Sequence, residues 1–139
     1  MLGYFLSDAS TGNAAQPSLR RKRLVNGDNG ASILEEEIMH GIEDLQVQFG
    51  LDTDANADAN VDLFVDPGDA AIADGTIVAV RLWLRARADE PDHSFFDAAD
   101  YRYASMADPA LISDGDRRFR RVLVQKTVQL RNAHGFDDT

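Results

Sequence analysis

The chain has 139 residues and a mass of 15.3 kDa, with 14 Lys plus Arg against 24 Asp plus Glu and a formal net charge of −10. A hydrophobic share of 44% with 8% aromatics is that of a globular chain able to bury a core, and the length fits one domain. Cysteine is absent, which removes disulfides, thiolate catalysis and cysteine-held zinc; no apolar run reaches the roughly 18 residues of a membrane-spanning helix, no signal-peptide pattern is present, and the acidic balance opposes polyphosphate binding.

Residues 1–31 read as strands and turns. Leu2, Tyr4 and Leu6 alternate with Gly3 and Phe5, and residues 19–25 are extended and basic. The linker 8–18 carries Ser, Thr, Gly, Asn and Pro17, and Asn26-Gly27 with Asp28-Asn29-Gly30 marks a second turn. Ser32 and Glu35 have capping-box spacing, and Ile33, Leu34, Ile38 and Ile42 recur at roughly helical intervals. Glu35, Glu36 and Glu37 stand where a helix dipole favours acids. The spacing predicts a short helix over 33–40, ended by Gly41.

Period two follows. Leu45, Val47 and Phe49 alternate with Asp44, Gln46 and Gln48, a half-buried strand. In residues 76–88, Val78, Val80, Leu82 and Leu84 face one way, and Ile77, Ala79, Arg81, Trp83, Arg85 and Arg87 the other. In residues 119–131, Val122, Val124, Val128 and Leu130 share a face broken by Lys126, with Arg121, Leu123, Gln125, Thr127, Gln129 and Arg131 opposite. The polar connection 88–117 holds Phe95, Phe96, Tyr101 and Tyr103, and a connection of that length usually carries structure or function of its own. The expected fold is α+β, mainly β: an antiparallel sheet or sheets with one or two short helices in one domain over 1–139. Its parts are strands and turns at 1–31, a short helix then a strand at 32–50, an acidic loop at 51–66, sheet at 67–133 and a frayed tail at 134–139.

The most unusual stretch runs from Leu51 to Asp62. Oxygen-bearing side chains fall at Asp52, Asp54, Asn56, Asp58, Asn60 and Asp62, alternate positions of the kind from which calcium loops supply ligands. Counted from Asp54 or from Asp52, the sixth position, usually Gly, is Ala59 or Ala57, and the twelfth, usually Glu, is Val65 or Leu63; Asp66 lies close enough to substitute. Two readings stand: a calcium loop through these six residues, or a solvated acidic hairpin loop whose carboxylates repel one another.

The basic runs Arg20–Arg23 and Arg117–Arg121 are split between two faces by strand alternation. They are expected to pair with carboxylates of the same fold or of an acidic partner, and not with nucleic acid. His40, His93 and His134 have no metal spacing, and Asp92-His93-Ser94 are neighbours in sequence, which does not assemble a triad. No nucleophile elbow or phosphate loop is present, so no enzyme is expected. Trp83, Phe95, Phe96, Tyr101 and Tyr103 read as core, with an interface as the other use.

The segment from Ile42 through Glu43, Asp44, Leu45, Gln46, Val47, Gln48, Phe49, Gly50, Leu51, Asp52 and Thr53 to Asp54 resembles the stretch leading into the acidic loop of PilW-type minor pilins of type IV pili. Residues 76–85 resemble that family's central strand, and residues 120–132 its C-terminal strand with a Val-x-Leu-Arg-Asn ending. The opening strand and Leu19-Arg20-Arg21 also fit, so the resemblance spans about residues 2–132. The pilin leader, cleavage site and long apolar N-terminal helix are missing, and Ala stands at 55, 57 and 59 where family loops often carry Gly. The resemblance implies a pilin-like domain, here a soluble fragment, that works in pilus assembly and not in catalysis. Other minor pilins, the major pilin and a tip adhesin are the implied partners, adhesion and twitching the implied uses. The implied location is the periplasmic face of the inner membrane, through the missing helix, and then the extracellular pilus. A J-like pseudopilin of type II secretion and a free-standing extracellular calcium-loop module are the rival readings.

Overall fold

The computed structural model describes residues 1–56 and 58–130. Seven strands follow one another: β1 (Leu2–Ser7), β2 (Ser18–Gly27), β3 (Gly30–His40), β4 (Ile42–Asp52), β5 (Leu63–Val65), β6 (Thr76–Arg87) and β7 (Arg121–Gln129). They form a three-stranded sheet in the order β1-β2-β3 and a four-stranded sheet in the order β5-β4-β6-β7. Strand pairs β1–β2, β2–β3 and β4–β5 are antiparallel. The mainly-β expectation holds, and each strand expected from alternation is present.

The helices do not. Among the described residues the only helical pieces are single 3-10 turns at Ala70–Ala73 and Asp116–Arg118, and none is long and apolar enough to cross a membrane. Residues 33–40, expected as a helix, lie in β3. The reason is across the ladder and not within the segment. Glu37, Glu36 and Glu35 stand opposite Arg20, Arg21 and Lys22, and Ile33 opposite Leu24. Arg20 reaches Glu35 at 2.7 Å and Arg21 reaches Glu36 at 2.7 Å, while Arg23 meets the same Glu36 at 3.1 Å. Oppositely charged cross-strand pairs favour a hairpin, and a helix would leave the same four cations without these partners. Ser32 pairs with Val25 and forms no cap. Gly27 and Gly30 close the turn over Asp28 and Asn29, with Gly30 at φ +98. A β-bulge between Leu19 and Arg20 shifts the register once.

Gly41 ends no helix but turns the chain from β3 into β4. Its φ is +78, and a Cβ there would meet the Arg87 carbonyl oxygen at 2.8 Å. Its N–H donates to Pro17 O at 2.7 Å, and its own carbonyl accepts from Arg87 N at 2.8 Å. Only glycine meets both demands without strain.

The chain divides into two compact units. The first comprises Met1–Leu45, Leu84–Asp100 and Leu111–Leu123; the second comprises Gln46–Trp83, Tyr101–Ala110 and the chain from Val124 on. In the second unit Leu51, Val65, Val78, Ala79, Trp83 and Tyr103 are buried. Trp83 satisfies its indole N–H on Gln125 Oε1 at 3.1 Å, and the Arg81 guanidinium lies 3.4 Å from the Phe64 ring centroid.

The first unit is built around a charge. Ile42, Ser18, Gln16, Arg85 and Asp97 are buried there. Glu43 on β4 accepts Arg85 Nε at 3.0 Å and a two-point contact from Arg121, Nε at 2.8 Å and Nη2 at 2.9 Å. Arg121 has a side chain only 1% exposed, and its Nη1 donates to the carbonyls of Asp116 at 2.8 Å and Phe119 at 3.1 Å. Burial pulls the Arg121 guanidinium down, but Glu43 and Asp97 more than offset this and its pKa is raised. The alternation expected for β6 is therefore right, but both faces bury residues: Val78 on one, and Ala79, Trp83 and Arg85 on the arginine-bearing one, with Leu82 and Leu84 only partly buried. On β7 the expected apolar face is open, with Val122 55%, Val124 50% and Val128 43% exposed.

The connection 88–117 has no strand, yet backbone bonds hold it: Ala88 N to Arg120 O, Asp92 N to Arg118 O and Asp97 N to Arg117 O, at 2.8, 2.8 and 2.7 Å. Arg131, Asn132 and the expected frayed tail at 134–139 lie outside the described residues.

Candidate functional site

The acidic loop leaves β4 at Asp52 and returns through β5, and three of the six expected ligand residues converge. Asp52, Asp54 and Asp62 each offer a carboxylate oxygen within 4.8 Å of the others, with Asp52 buried and the other two exposed. Asp58 is not among these carboxylates. Asp58 is occupied locally, accepting Asn60 N at 2.9 Å and Asn60 Nδ2 at 2.7 Å, and Asn56 N donates to Asp54 Oδ1 at 2.8 Å. Asp66 does not join the group either. It accepts from Gln48 Nε2 at 3.1 Å and Ser105 Oγ at 2.6 Å.

Asp62 closes the loop. Its Oδ2 accepts Thr53 N at 2.8 Å, Thr53 Oγ1 at 3.2 Å and Asp54 N at 3.2 Å. The Thr53 amide above all holds its pKa below the usual carboxylate value, so it is ionised at neutral pH. Asp52 Oδ2 takes Ala59 N at 2.8 Å. Three carboxylates at this spacing can hold a hard cation, which prefers oxygen ligands.

The sixth position of the pattern, counted from Asp54, bears on this directly. Ala59 sits at φ +61, in the left-handed region that glycine occupies freely. The chain makes the sharp turn although the residue suited to it is absent, and a non-glycine residue there costs about 1–2 kcal/mol. Ala59→Gly relieves that strain at the expense of a freer unfolded chain. Urea denaturation should show a net gain of up to about 1 kcal/mol, and a loss of similar size would contradict the assignment of strain.

The aromatic residues divide. Trp83 and Tyr103 are core, whereas Phe96 is 50% exposed. The first basic run pairs internally as expected, with Glu35, Glu36 and Glu37; of the second, Arg120 pairs with Asp92 at 2.9 Å and Arg121 with Glu43. Ser94 and Arg120 together pull the Asp92 carboxyl to about 2. The role of Glu43 was not legible beforehand. Its only sequence signal is that two arginine-rich strand faces need a buried anion between them.

No curated protein matches this chain, and no solved structure matches it. The family model described as type IV pilus-assembly protein W, PilW, matches residues 3–132. That span takes in every strand but the first residue of β1, together with the acidic loop and the connection 88–117. The chain belongs to the PilW family of type IV pilus-assembly proteins.

Proposed function

We propose that this chain is the globular domain of a minor pilin that helps prime assembly of a type IV pilus and forms part of the tip complex through contacts with other minor pilins. The family match over residues 3–132 carries this reading. The open surfaces support it. Leu2, Tyr4, Leu24 and Ile33 on the three-stranded sheet are 59%, 53%, 54% and 57% exposed, which is apolar area suited to a neighbouring subunit. In this reading the subunit waits at the periplasmic face of the inner membrane and then enters the filament beside the major pilin and a tip adhesin. Deletion of the gene in the cells that carry it should abolish surface pili, measured by shearing and quantifying the major pilin, and the full-length gene should restore them. Normal piliation with a defect in protein secretion would favour the pseudopilin instead.

Calcium is part of the proposal. Asp52, Asp54 and Asp62 are its ligands in this reading, because their oxygens already converge and mutual repulsion makes the cluster costly without a cation. A bound ion would order the loop before docking and lower the entropic cost of binding. Millimolar calcium should raise the unfolding free energy by about 1–3 kcal/mol over a chelator control, and Asp62→Asn should remove most of that gain. No shift in melting at millimolar calcium would sink the calcium reading and leave the pilus reading untouched.

A further inference from the structure

Charge is placed unevenly along this chain. From Asp52 to Asp74 there are seven aspartates and no Lys or Arg, whereas Arg117–Arg121 contains four arginines. Arg121 is consumed by Glu43 and Asp97 inside the first unit. Arg117, Arg118 and Arg120 remain, gathered on two phenylalanines of the same unit. The Arg120 guanidinium lies 4.2 Å from the Phe95 ring centroid, and those of Arg117 and Arg118 lie 5.9 and 5.8 Å from Phe96.

Backbone carbonyls fix these side chains without spending their charge. Arg117 Nη1 donates to Asp97 O at 2.8 Å, and Arg118 Nη1 donates to His93 O and Phe95 O, both at 3.1 Å. The acids around them are mostly engaged: Asp92 holds Arg120 at 2.9 Å, and Asp116 accepts Ser113 Oγ at 2.6 Å and lies 3.5 Å from Arg87. Asp114 is exposed in the same turn. Among the described residues neither Arg117 nor Arg118 forms an ion pair, in a chain with 24 acids to 14 cations. Two held guanidinium groups beside a half-exposed ring make a preorganised acceptor surface for carboxylates, and Arg with aromatics is the usual make-up of interface hot spots.

The matching carboxylates are on the chain itself. Asp58, Asp69 and Asp74 are exposed. Asp58 bonds only within its own turn, and Asp69 caps Ala71 N at 2.9 Å. The geometry points to a contact between copies: the Arg117–Arg118–Phe96 patch of one molecule takes the exposed aspartates of the 58–74 stretch of a second. Two different surfaces meet in such a contact, so it is heterologous and can propagate. The inference needs neither the calcium triad nor the pilus reading, because Asp58, Asp69 and Asp74 lie outside the triad and the isolated chain suffices to test it.

Sedimentation velocity of the purified chain in chelator, at low salt (about 20 mM) and at about 500 mM, reads the contact directly. The sedimentation coefficient should rise with protein concentration at low salt and stay that of a monomer at high salt. R117E/R118E and D58K/D69K/D74K should each weaken association at least about tenfold with circular dichroism unchanged. The milder R117Q/R118Q serves if charge reversal unfolds the patch. An equimolar mixture of the two reversed variants should regain association with the variants alternating, since the unaltered aspartates of the first meet the unaltered arginines of the second and the reversed patch meets the reversed loop. A wild-type chain that stays monomeric at low salt, variants that associate like wild type, or a mixture that fails to regain association would each overturn the inference.

Discussion

The first unit depends on a mostly covered carboxylate, its side chain 12% exposed, held among arginines. Glu43 receives Arg85 and, at two points, Arg121, and Arg121 in turn holds the carbonyls of Asp116 and Phe119. One guanidinium thus ties strand β4 to strand β7 and to the end of the long polar connection. Taking these charges out of water is costly, and the bonds of Arg121 to Glu43, Asp97 and the two carbonyls offset that cost. An apolar core would have stabilised the unit as well, but it would not have fixed a strandless connection in one path. Directional bonds from a planar, always charged group do that.

The same economy of charge runs through the rest of the molecule. The β2–β3 hairpin zips Arg20, Arg21 and Lys22 against Glu37, Glu36 and Glu35, so a long exposed ribbon carries a neutral belt with apolar residues beyond it. Hydrogen bonds and arginine neighbours hold the carboxyls of all three glutamates below their usual pKa. Those groups therefore add stability that is full above the unfolded carboxyl pKa and lost as pH falls through the folded values. In the acidic loop no cation of the chain answers Asp52, Asp54 and Asp62 among the described residues, and only backbone, hydroxyl and amide donors do. For a PilW-family protein this contrast matters: the framework neutralises itself, and the loop and the Arg117–Arg118 patch are left for something else to neutralise.

Much of this was legible in the sequence, and the reason lies in period two. Alternation in 45–49, 76–88 and 119–131 requires only that one face differ from the other, so it reports strands whatever covers them. Residues 33–40 misled because Ile33, Leu34, Ile38 and Ile42 suit a helix equally well, and the deciding partners, Arg20 to Arg23, lie in another segment. That β6 would bury its arginine-bearing face was likewise unreadable. Arg85 goes inward where Glu43, a single residue on the neighbouring strand β4, receives it. At the loop, spacing found Asp52, Asp54 and Asp62, whose oxygens converge, but not which of the six would do so, because alternate spacing fixes which side chains carry oxygen and not how the backbone folds after Asp54. Of the two alanines standing where the pattern wants glycine, Ala59 takes a left-handed turn.

The most direct test of this account is a double-mutant cycle across Glu43 and Arg121. E43A, R121A and the double variant would be unfolded in urea under identical conditions. A node that organises the unit predicts single variants each destabilised by about 3–5 kcal/mol and a coupling energy of at least about 2 kcal/mol, because removing either partner strands the other in a dry site. Additive effects within about 0.5 kcal/mol would show that the two side chains are neighbours without being the constraint on which the unit rests.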